Sequence, residues 1–175
     1  YQTAMGLYGA LVVLPTDAGS VVPGQAYADA GTAYDSASVL VLSELDPVLN
    51  NTPDPSTFDM RNYRPRYFLV DGKAHPAIDT ITAAGDSDVL LRYVNAGITH
   101  HSMGVLGAAG QTVIALDGHP LRDARHYVAD TIGPGQTLDP TYYAARQELV
   151  RTLSARIERL SPETRQQLEK NLAEM

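Results

Sequence analysis

The residues of this chain that could bind a metal ion or transfer a proton are few and widely spaced. The 175 residues include five histidines and no cysteine. His100 and His101 are adjacent, so on a strand their side chains point to opposite faces and do not easily share one metal ion. His75 lies beside Pro76 and His119 lies in a turn sequence. We expect these four histidines to be structural or solvent-exposed.

The remaining histidine has no partner that the sequence reveals. His126 precedes a predicted strand, and the only alternative to a lone histidine is a weak metal site formed with His119 and Asp117. The lack of cysteine excludes disulfides, iron–sulfur clusters, thiolate zinc sites and Cys nucleophiles within this chain. It also excludes a blue-copper centre. There is no Gly-x-Ser-x-Gly elbow, and residues 104–107 lack the Gly-Lys-Ser/Thr ending of a phosphate loop.

Composition divides the chain into two parts that must be built differently. Up to Asp139 the acidic residues are fourteen Asp and the single Glu44, whereas after Pro140 there are five Glu and no Asp. All fourteen glycines lie before Thr137. Asp and Gly favour turns, while Glu, Arg, Gln and Leu favour helices. The sequence therefore predicts a β-rich body followed by a helical tail.

Short apolar runs separated by turn residues predict the strands of the body. These runs cover residues 7–14, 38–45, 66–70, 78–83, 88–95, 103–106, 112–116 and 127–132. Asp71-Gly72 between two of the runs is a hairpin signal. Strands this short, with turns every eight to twelve residues, indicate an antiparallel sandwich or barrel. The tyrosines in and near these strands are expected to pack in the sandwich or at its edge: Tyr63, Tyr67, Tyr93 and Tyr127.

The tail has apolar residues at helical spacing, namely Tyr142, Leu149, Leu153, Ile157 and Leu160. Ser161-Pro162 has the pattern of a new helix start. We predict an amphipathic helix or helical pair over residues 140–175 that packs on the body. The alternative is a dimerisation or docking helix through which the chain self-associates.

Five motifs in register resemble a known family. They are residues 67–76 (YFLVDGKAHP), 90–97 (LLRYVNAG), 117–121 (DGHPL), 133–136 (GPGQ) and 5–13 (MGLYGALVV). In this order they are similar to a cupredoxin domain, and the closing strand of the domain before it, in bacterial laccase-like multicopper oxidases. The resemblance implies an all-β, Greek-key cupredoxin-like sandwich with a C-terminal α-helical tail. It also implies a parent protein that oxidises phenols, amines or metal ions and reduces dioxygen to water.

Copper is the cofactor that the resemblance implies for the parent protein, yet this chain lacks its ligands. Copper-bearing domains of the family carry a His-x-His pair after the strand that ends here at Gly97. Gly104 and Leu106 occupy the two matching positions, and neither side chain can donate to a metal ion. We therefore predict no catalytic, cofactor-binding or metal-ligating residue in this chain, and no bound copper.

The resemblance divides the chain into four parts: residues 1–15, the last strand of a preceding cupredoxin domain; 16–31, a linker; 32–139, a cupredoxin-like domain without copper ligands; and 140–175, the helical tail. The first functional hypothesis is an architectural segment of a laccase-like multicopper oxidase. The second is a free-standing, copper-less cupredoxin module that binds a protein partner.

The expected partners are neighbouring cupredoxin domains or subunits. A net charge of −7 argues against nucleic acid, because no basic patch offers itself to phosphates. No apolar run approaches the roughly 18 residues that a membrane span needs. The chain carries no targeting signal, and the resemblance implies an extracellular or periplasmic location.

Overall fold

The computed structural model describes residues 2–106 and 110–143, and most of its regular structure is β-strand. The strands are β1 (Thr16–Asp17), β2 (Ser20–Val21), β3 (Ser36–Leu45), β4 (Tyr67–Val70), β5 (Lys73–Ala74), β6 (Asp88–Asn95), β7 (His101–Gly104), β8 (Gln111–Leu116), β9 (His119–Tyr127), β10 (Ala129–Ile132) and β11 (Thr137–Tyr143). The one described α-helix, α1, spans Pro47–Asn50, and short 3-10 turns span Ala30–Thr32, Pro55–Thr57 and Met60–Asn62.

Seven strands form the large sheet, in the order β5-β4-β3-β6-β11-β8-β9. Strands β3 and β6 run parallel at its centre, and every other neighbouring pair is antiparallel. Strands β7 and β10 form a second, small sheet, and β1 pairs with β2 alone. A parallel central pair requires a crossover, which residues 46–87 supply.

The main core lies between the two sheets. Leu42, Leu91 and Tyr93 of the large sheet pack with Ile132 of β10, and Met103 of β7 packs against this cluster. We call this side of the large sheet its sandwich face. The prediction of a β-sandwich body is confirmed by this arrangement, in which alternate residues of each strand are buried between sheets.

The opposite side of the large sheet, its outer face, has a smaller core of its own. Leu90 and Ile114 are buried there against Ala26, and Tyr27 and Tyr34 pack around them. The cover on this face is the chain between β2 and β3, which contains one 3-10 turn rather than a second sheet. Strand β6 is consequently buried on both faces, which explains its almost continuous apolar sequence.

Most of the predicted strands are confirmed, but three expectations are wrong. Residues 7–14 lie in no strand, because no described strand edge runs beside them to take their backbone hydrogen bonds. Residues 78–83 are an exposed coil, because none of their side chains finds an apolar face to bury. Strand β9 was not predicted, because Arg122, Asp123 and Arg125 leave it without an apolar run. Such charged residues are typical of an edge strand, and β9 pairs only with β8.

The predicted boundary at residue 140 is also wrong by several residues. Strand β11 continues through Pro140 to Tyr143 and pairs with both β6 and β8. Proline has no N–H for a ladder, but here the register shifts between Asp139 and Pro140, so the irregularity accommodates it. Residues 140–143 therefore belong to the final strand of the body, and the helix predicted for them is wrong. The rest of the predicted tail, residues 144–175, lies outside the described residues.

Candidate functional site

The two positions that match the family's His-x-His pair lie at the end of β7. Gly104 pairs with Ala129 of β10, and a Cβ at Gly104 would lie 2.6 Å from the carbonyl oxygen of Val128. No side chain fits there unless the β9–β10 connection moves. Leu106 is 98% exposed. These residues do not fit a copper ion, since one position has no room for a ligand and the other presents a hydrocarbon to solvent.

The histidines are dispersed over the described part of the molecule. His100 and His75 are exposed, and His101 is partly buried. His119 and His126 are exposed residues of β9 that pair with Leu116 and Thr112 of β8, so they lie four β8 residues or roughly 13 Å apart. The alternative metal site formed by these two histidines and Asp117 is therefore wrong, because the strand holds them apart.

Within residues 2–106 and 110–143, no group of three His, Asp or Glu side chains is placed to hold a metal ion. The same part of the chain contains no helix long and apolar enough to cross a membrane. That this chain binds no copper stays a prediction.

A buried carboxylate, Glu44, joins the two sheets at the sandwich face. Its oxygens accept the backbone N–H of Ile98 at 2.9 Å and of Thr99 at 3.1 Å, together with the Thr99 hydroxyl. His101 Nε2 donates to it over 2.6 Å. Gly97 is required nearby, because a Cβ there would overlap this carboxylate. We call Glu44, Thr99 and His101, with the backbone of residue 98, the Glu44 clamp.

The environment of Glu44 favours its charged form. Burial acts to raise the pKa of Glu44, but the hydrogen bonds from Thr99, Ile98 and His101 together bring it below its ordinary value. A carboxylate with this many donors is satisfied without any ligand. The clamp thus holds the chain that leads from β6 into β7, and through it the small sheet, against β3.

A second buried polar group lies on the outer face, where β6 and β11 are neighbours. Arg92 Nη1 lies 3.5 Å from Asp139 Oδ2, and both side chains are about nine-tenths buried. The Tyr27 hydroxyl donates to the same oxygen over 2.5 Å. Arg92 also donates to the carbonyl oxygen of Ala26 over 3.3 Å and stacks 5.6 Å from the Tyr27 ring centre. We call Tyr27, Arg92 and Asp139 the outer triad.

The outer triad is less well satisfied than the Glu44 clamp. Burial raises the pKa of Asp139, and the Tyr27 hydrogen bond and the Arg92 charge only partly offset it. The pKa of the Tyr27 hydroxyl also lies well above its usual range, chiefly because of burial and then because its proton is held by Asp139. Charge-assisted contacts are normally about 2.7–2.9 Å long, so the Arg92–Asp139 contact is loose.

A cavity of about 400 Å³ adjoins the outer triad. Apolar side chains form most of its wall, including Val39 of β3 and Val94 of β6. Residues 11–15 cover it, and the outer triad lies at its polar end. The arrangement can hold a small molecule and offers it one cationic hydrogen-bond donor beside an apolar surface.

The pairings within the clamp and the triad were not predicted from the sequence, although signals for both exist. Glu44 is the single Glu before residue 140 and the one charged residue of β3, and Arg92 interrupts the apolar run of β6. A charge in the middle of a buried strand requires a partner. The tyrosine prediction fared better: Tyr93 is buried in the core and Tyr127 packs on it, whereas Tyr67 is 52% exposed at the sheet edge.

Solved structures of multicopper oxidases have the same fold as part of this chain. No family model and no curated protein matches the sequence. The blue copper oxidase from Nitrosomonas europaea is 24% identical with a TM-score of 0.54, over 62% of this chain and 33% of that chain. The multicopper oxidase mgLAC is 21% identical with a TM-score of 0.57, over 62% and 33%.

Fet3p, described as a multicopper oxidase that functions in iron import, is 22% identical with a TM-score of 0.54. The match covers 68% of this chain and 23% of Fet3p. At these identities the likeness concerns the fold, and the family resemblance found in the sequence is confirmed at that level. The chain has the fold of a domain-sized part of multicopper oxidases, and matches no more than a third of their length.

Proposed function

We propose that this chain is a copper-free architectural domain of a laccase-like multicopper oxidase. The observation that carries the proposal is the end of β7, where Gly104 packs against the Val128 carbonyl and Leu106 faces solvent in place of a His-x-His pair. The fold supports it, because the matched oxidases are three to four times longer than the match. The copper ions belong to other parts of the parent protein.

The architectural role would be to set the distance between copper-bearing domains. The parent reaction would be one-electron oxidation of phenols, amines or metal ions, coupled to reduction of dioxygen to water. An extracellular or periplasmic location follows from the same proposal. Residues 1–15 would then contribute the last strand of the preceding domain, residues 16–31 a linker, and residues from 32 onward the copper-free domain.

The N-terminal segment supports a neighbouring domain as partner. Leu7, Leu11 and Val13 are 71%, 91% and 76% exposed, which is costly for apolar residues unless another surface covers them. Their backbone lies in no strand among the described residues. A strand of a preceding domain would have both properties when that domain is not beside it.

A free-standing, copper-less module that binds a protein partner is the second candidate. It is favoured by the contacts that the N-terminal segment makes with its own body. The Tyr8 hydroxyl lies 2.6 Å from Ser43 Oγ, and residues 11–15 cover the outer cavity. In this reading the segment belongs to the body, and self-association through the predicted C-terminal helices would be one mode of assembly.

Metal content tests the proposal. The purified chain, loaded with Cu(I) and Cu(II) and then desalted, should retain well under one copper ion per chain, show no blue absorption band and oxidise no phenol. Tight stoichiometric copper, or a blue band, would contradict the copper-free role. His101→Ala is the matched control, since any residual copper that it removes would point to the histidine that contacts Glu44.

The longer protein separates the two candidates. The reading frame upstream of Tyr1 should encode a His-x-His pair within a few residues, and the full-length protein should bind copper. Leu11→Lys with Val13→Lys should lower the thermal stability of that full-length protein and leave this chain alone unaffected. A protein that begins near Tyr1 and is equally stable with and without the two lysines would instead be the free-standing module.

A further inference from the structure

The cavity on the outer face has the size and composition of a ligand site. Its volume of about 400 Å³ lies in the range of roughly 300–1,000 Å³ that small-molecule sites occupy. Val39 and Val94 form part of the sheet side, and Val12 and Leu14 form part of the cover. Such sites are typically apolar with a few convergent polar groups, which here are the side chains of the outer triad.

The outer triad determines which polar group a ligand needs. The Tyr27 proton is held by Asp139, so the tyrosine has no proton left to donate. Arg92 carries five N–H donors, and its guanidinium makes only two long polar contacts among the described residues, at 3.3 and 3.5 Å. The cavity therefore offers an unsaturated donor, and the complementary group on a ligand is an oxygen acceptor.

Charge balance determines whether that ligand is charged. Arg92 and Asp139 are the cationic and anionic residues that line the cavity, and their charges cancel. A carboxylate on the ligand would lie beside Asp139, and a cation beside Arg92, so either would be buried without its own counter-charge. An uncharged ligand with a carbonyl oxygen avoids both costs.

The cover of the cavity allows a ligand to enter. Residues 11–15 form no strand with the described residues, and Leu11 is 91% exposed. Residues 11–14 can move away from the sheet without breaking a backbone ladder, because the one backbone hydrogen bond that the segment makes among the described residues is at its end, from Val22 N–H to the Pro15 carbonyl oxygen. The opposite, sandwich face has no such route, because a second sheet covers it.

We propose that this cavity binds a small, uncharged, mainly apolar molecule bearing a carbonyl oxygen. The apolar part lies between Val39, Val94 and the segment 11–15, and the carbonyl oxygen accepts a hydrogen bond from Arg92. The proposal goes beyond the architectural role, because it requires neither copper nor a neighbouring domain.

Three six-carbon probes test the proposal on the full chain: 2-hexanone, n-hexane and hexanoate. Methyl NMR should show saturable shifts of Val39 and Val94 with 2-hexanone and none at Val113, which lies on the sandwich face. Hexanoate should bind at least about tenfold more weakly than 2-hexanone because of Asp139. Equal affinity for hexanoate, or shifts spread over both faces, would overturn the proposal.

Two variants make the test specific to this cavity. Val39→Phe fills the cavity and should abolish binding, whereas Val48→Phe, at a 63% exposed position on α1, should leave it unchanged. The double variant R92M/D139N removes both charges together and should weaken 2-hexanone by roughly tenfold while n-hexane binds as before. Unchanged binding to Val39→Phe would show that the probe binds elsewhere. An equal effect of the double variant on both probes would show that Arg92 makes no hydrogen bond to the ligand.

Discussion

The two buried carboxylates of this chain, Glu44 and Asp139, lie on opposite faces of one sheet and in opposite electrostatic states. On the sandwich face, four donors surround Glu44 and keep its pKa below the ordinary value. On the outer face, Asp139 has one short hydrogen bond and one loose ion pair, and burial raises its pKa. Both residues are 5% exposed. Burial raises the pKa of Asp139, while the larger number of donors around Glu44 outweighs the effect of burial there.

That difference separates a structural use of a charge from an incomplete polar site. The Glu44 clamp connects the small sheet to β3 and leaves no capacity for a ligand. The outer triad borders a cavity and retains donor capacity on Arg92. The small sheet covers the sandwich face, whereas the loop between β2 and β3 and the unpaired residues 11–15 cover the outer face. The face with the less satisfied charges is therefore the one on which we expect binding.

Removing each buried carboxylate tests directly whether the clamp and the triad differ in their contribution to stability. Glu44→Gln replaces an acceptor of four hydrogen bonds by an amide whose NH₂ group faces donors, so we expect a loss of about 2–4 kcal/mol of unfolding free energy. Asp139→Asn alone would leave Arg92 buried without its counter-charge, so the matched change is the double variant R92M/D139N, which removes the loose ion pair as a whole and should change the unfolding free energy by less than about 1 kcal/mol. Urea unfolding at pH 7 measures both, and equal losses would remove the distinction between clamp and triad.

Two neighbouring leucines of β6 allow the apolar cores on the two faces of the sheet to be compared. Leu91 is buried on the sandwich face and Leu90 on the outer face. We expect Leu91→Ala to cost about 3–5 kcal/mol, because two sheets cannot close over the space that it leaves. Leu90→Ala should cost about 2–3 kcal/mol, because the covering loop with Ala26 and Tyr27 can move inward. A larger loss for Leu90→Ala would mean that the outer cover is as rigid as a sheet.

Sequence reasoning predicted the parts of the fold that have a strong local signal. Strand β6 has an apolar run, and Asp71-Gly72 forms the expected turn, with φ of 51° and 75°. The predictions failed where contacts between residues far apart in the sequence determine the structure. An apolar pattern at residues 7–14 cannot reveal whether a strand edge lies beside it, and Pro140 concealed a strand because the register shift that accommodates it arises from β8.

The candidate site likewise contains residues that a local motif identifies and residues that only long-range contacts bring together. The sequence identified Gly104 and Leu106 by their place in a motif, and their geometry agrees with a position without a metal ligand. Glu44 and His101 are 57 residues apart, and Tyr27 and Asp139 are 112 residues apart. No local pattern could pair them, although the solitary charges in β3 and β6 indicated that partners must exist.

The pH dependence of stability is a smaller effect than those of the substitutions, but it reports directly on the pKa values of Glu44 and Asp139. The folded-state pKa of Glu44 is below its unfolded value, so its stabilising contribution is complete above the unfolded pKa and is lost as the pH falls through the folded pKa. For Asp139 the folded pKa is the higher one, so its contribution is present below the unfolded pKa and is lost as the pH rises through the folded pKa.

Carboxyl ¹³C NMR should therefore give a titration midpoint below the ordinary value for Glu44 and above it for Asp139. In unfolding experiments, Glu44→Gln should flatten the loss of stability at acidic pH, and Asp139→Asn should remove a small loss of stability that occurs as the pH rises above the unfolded-state pKa. A titration midpoint below the ordinary value for both carboxyls would mean that the outer triad is as well satisfied as the clamp. Arg92 would then have no N–H donor to spare for a ligand.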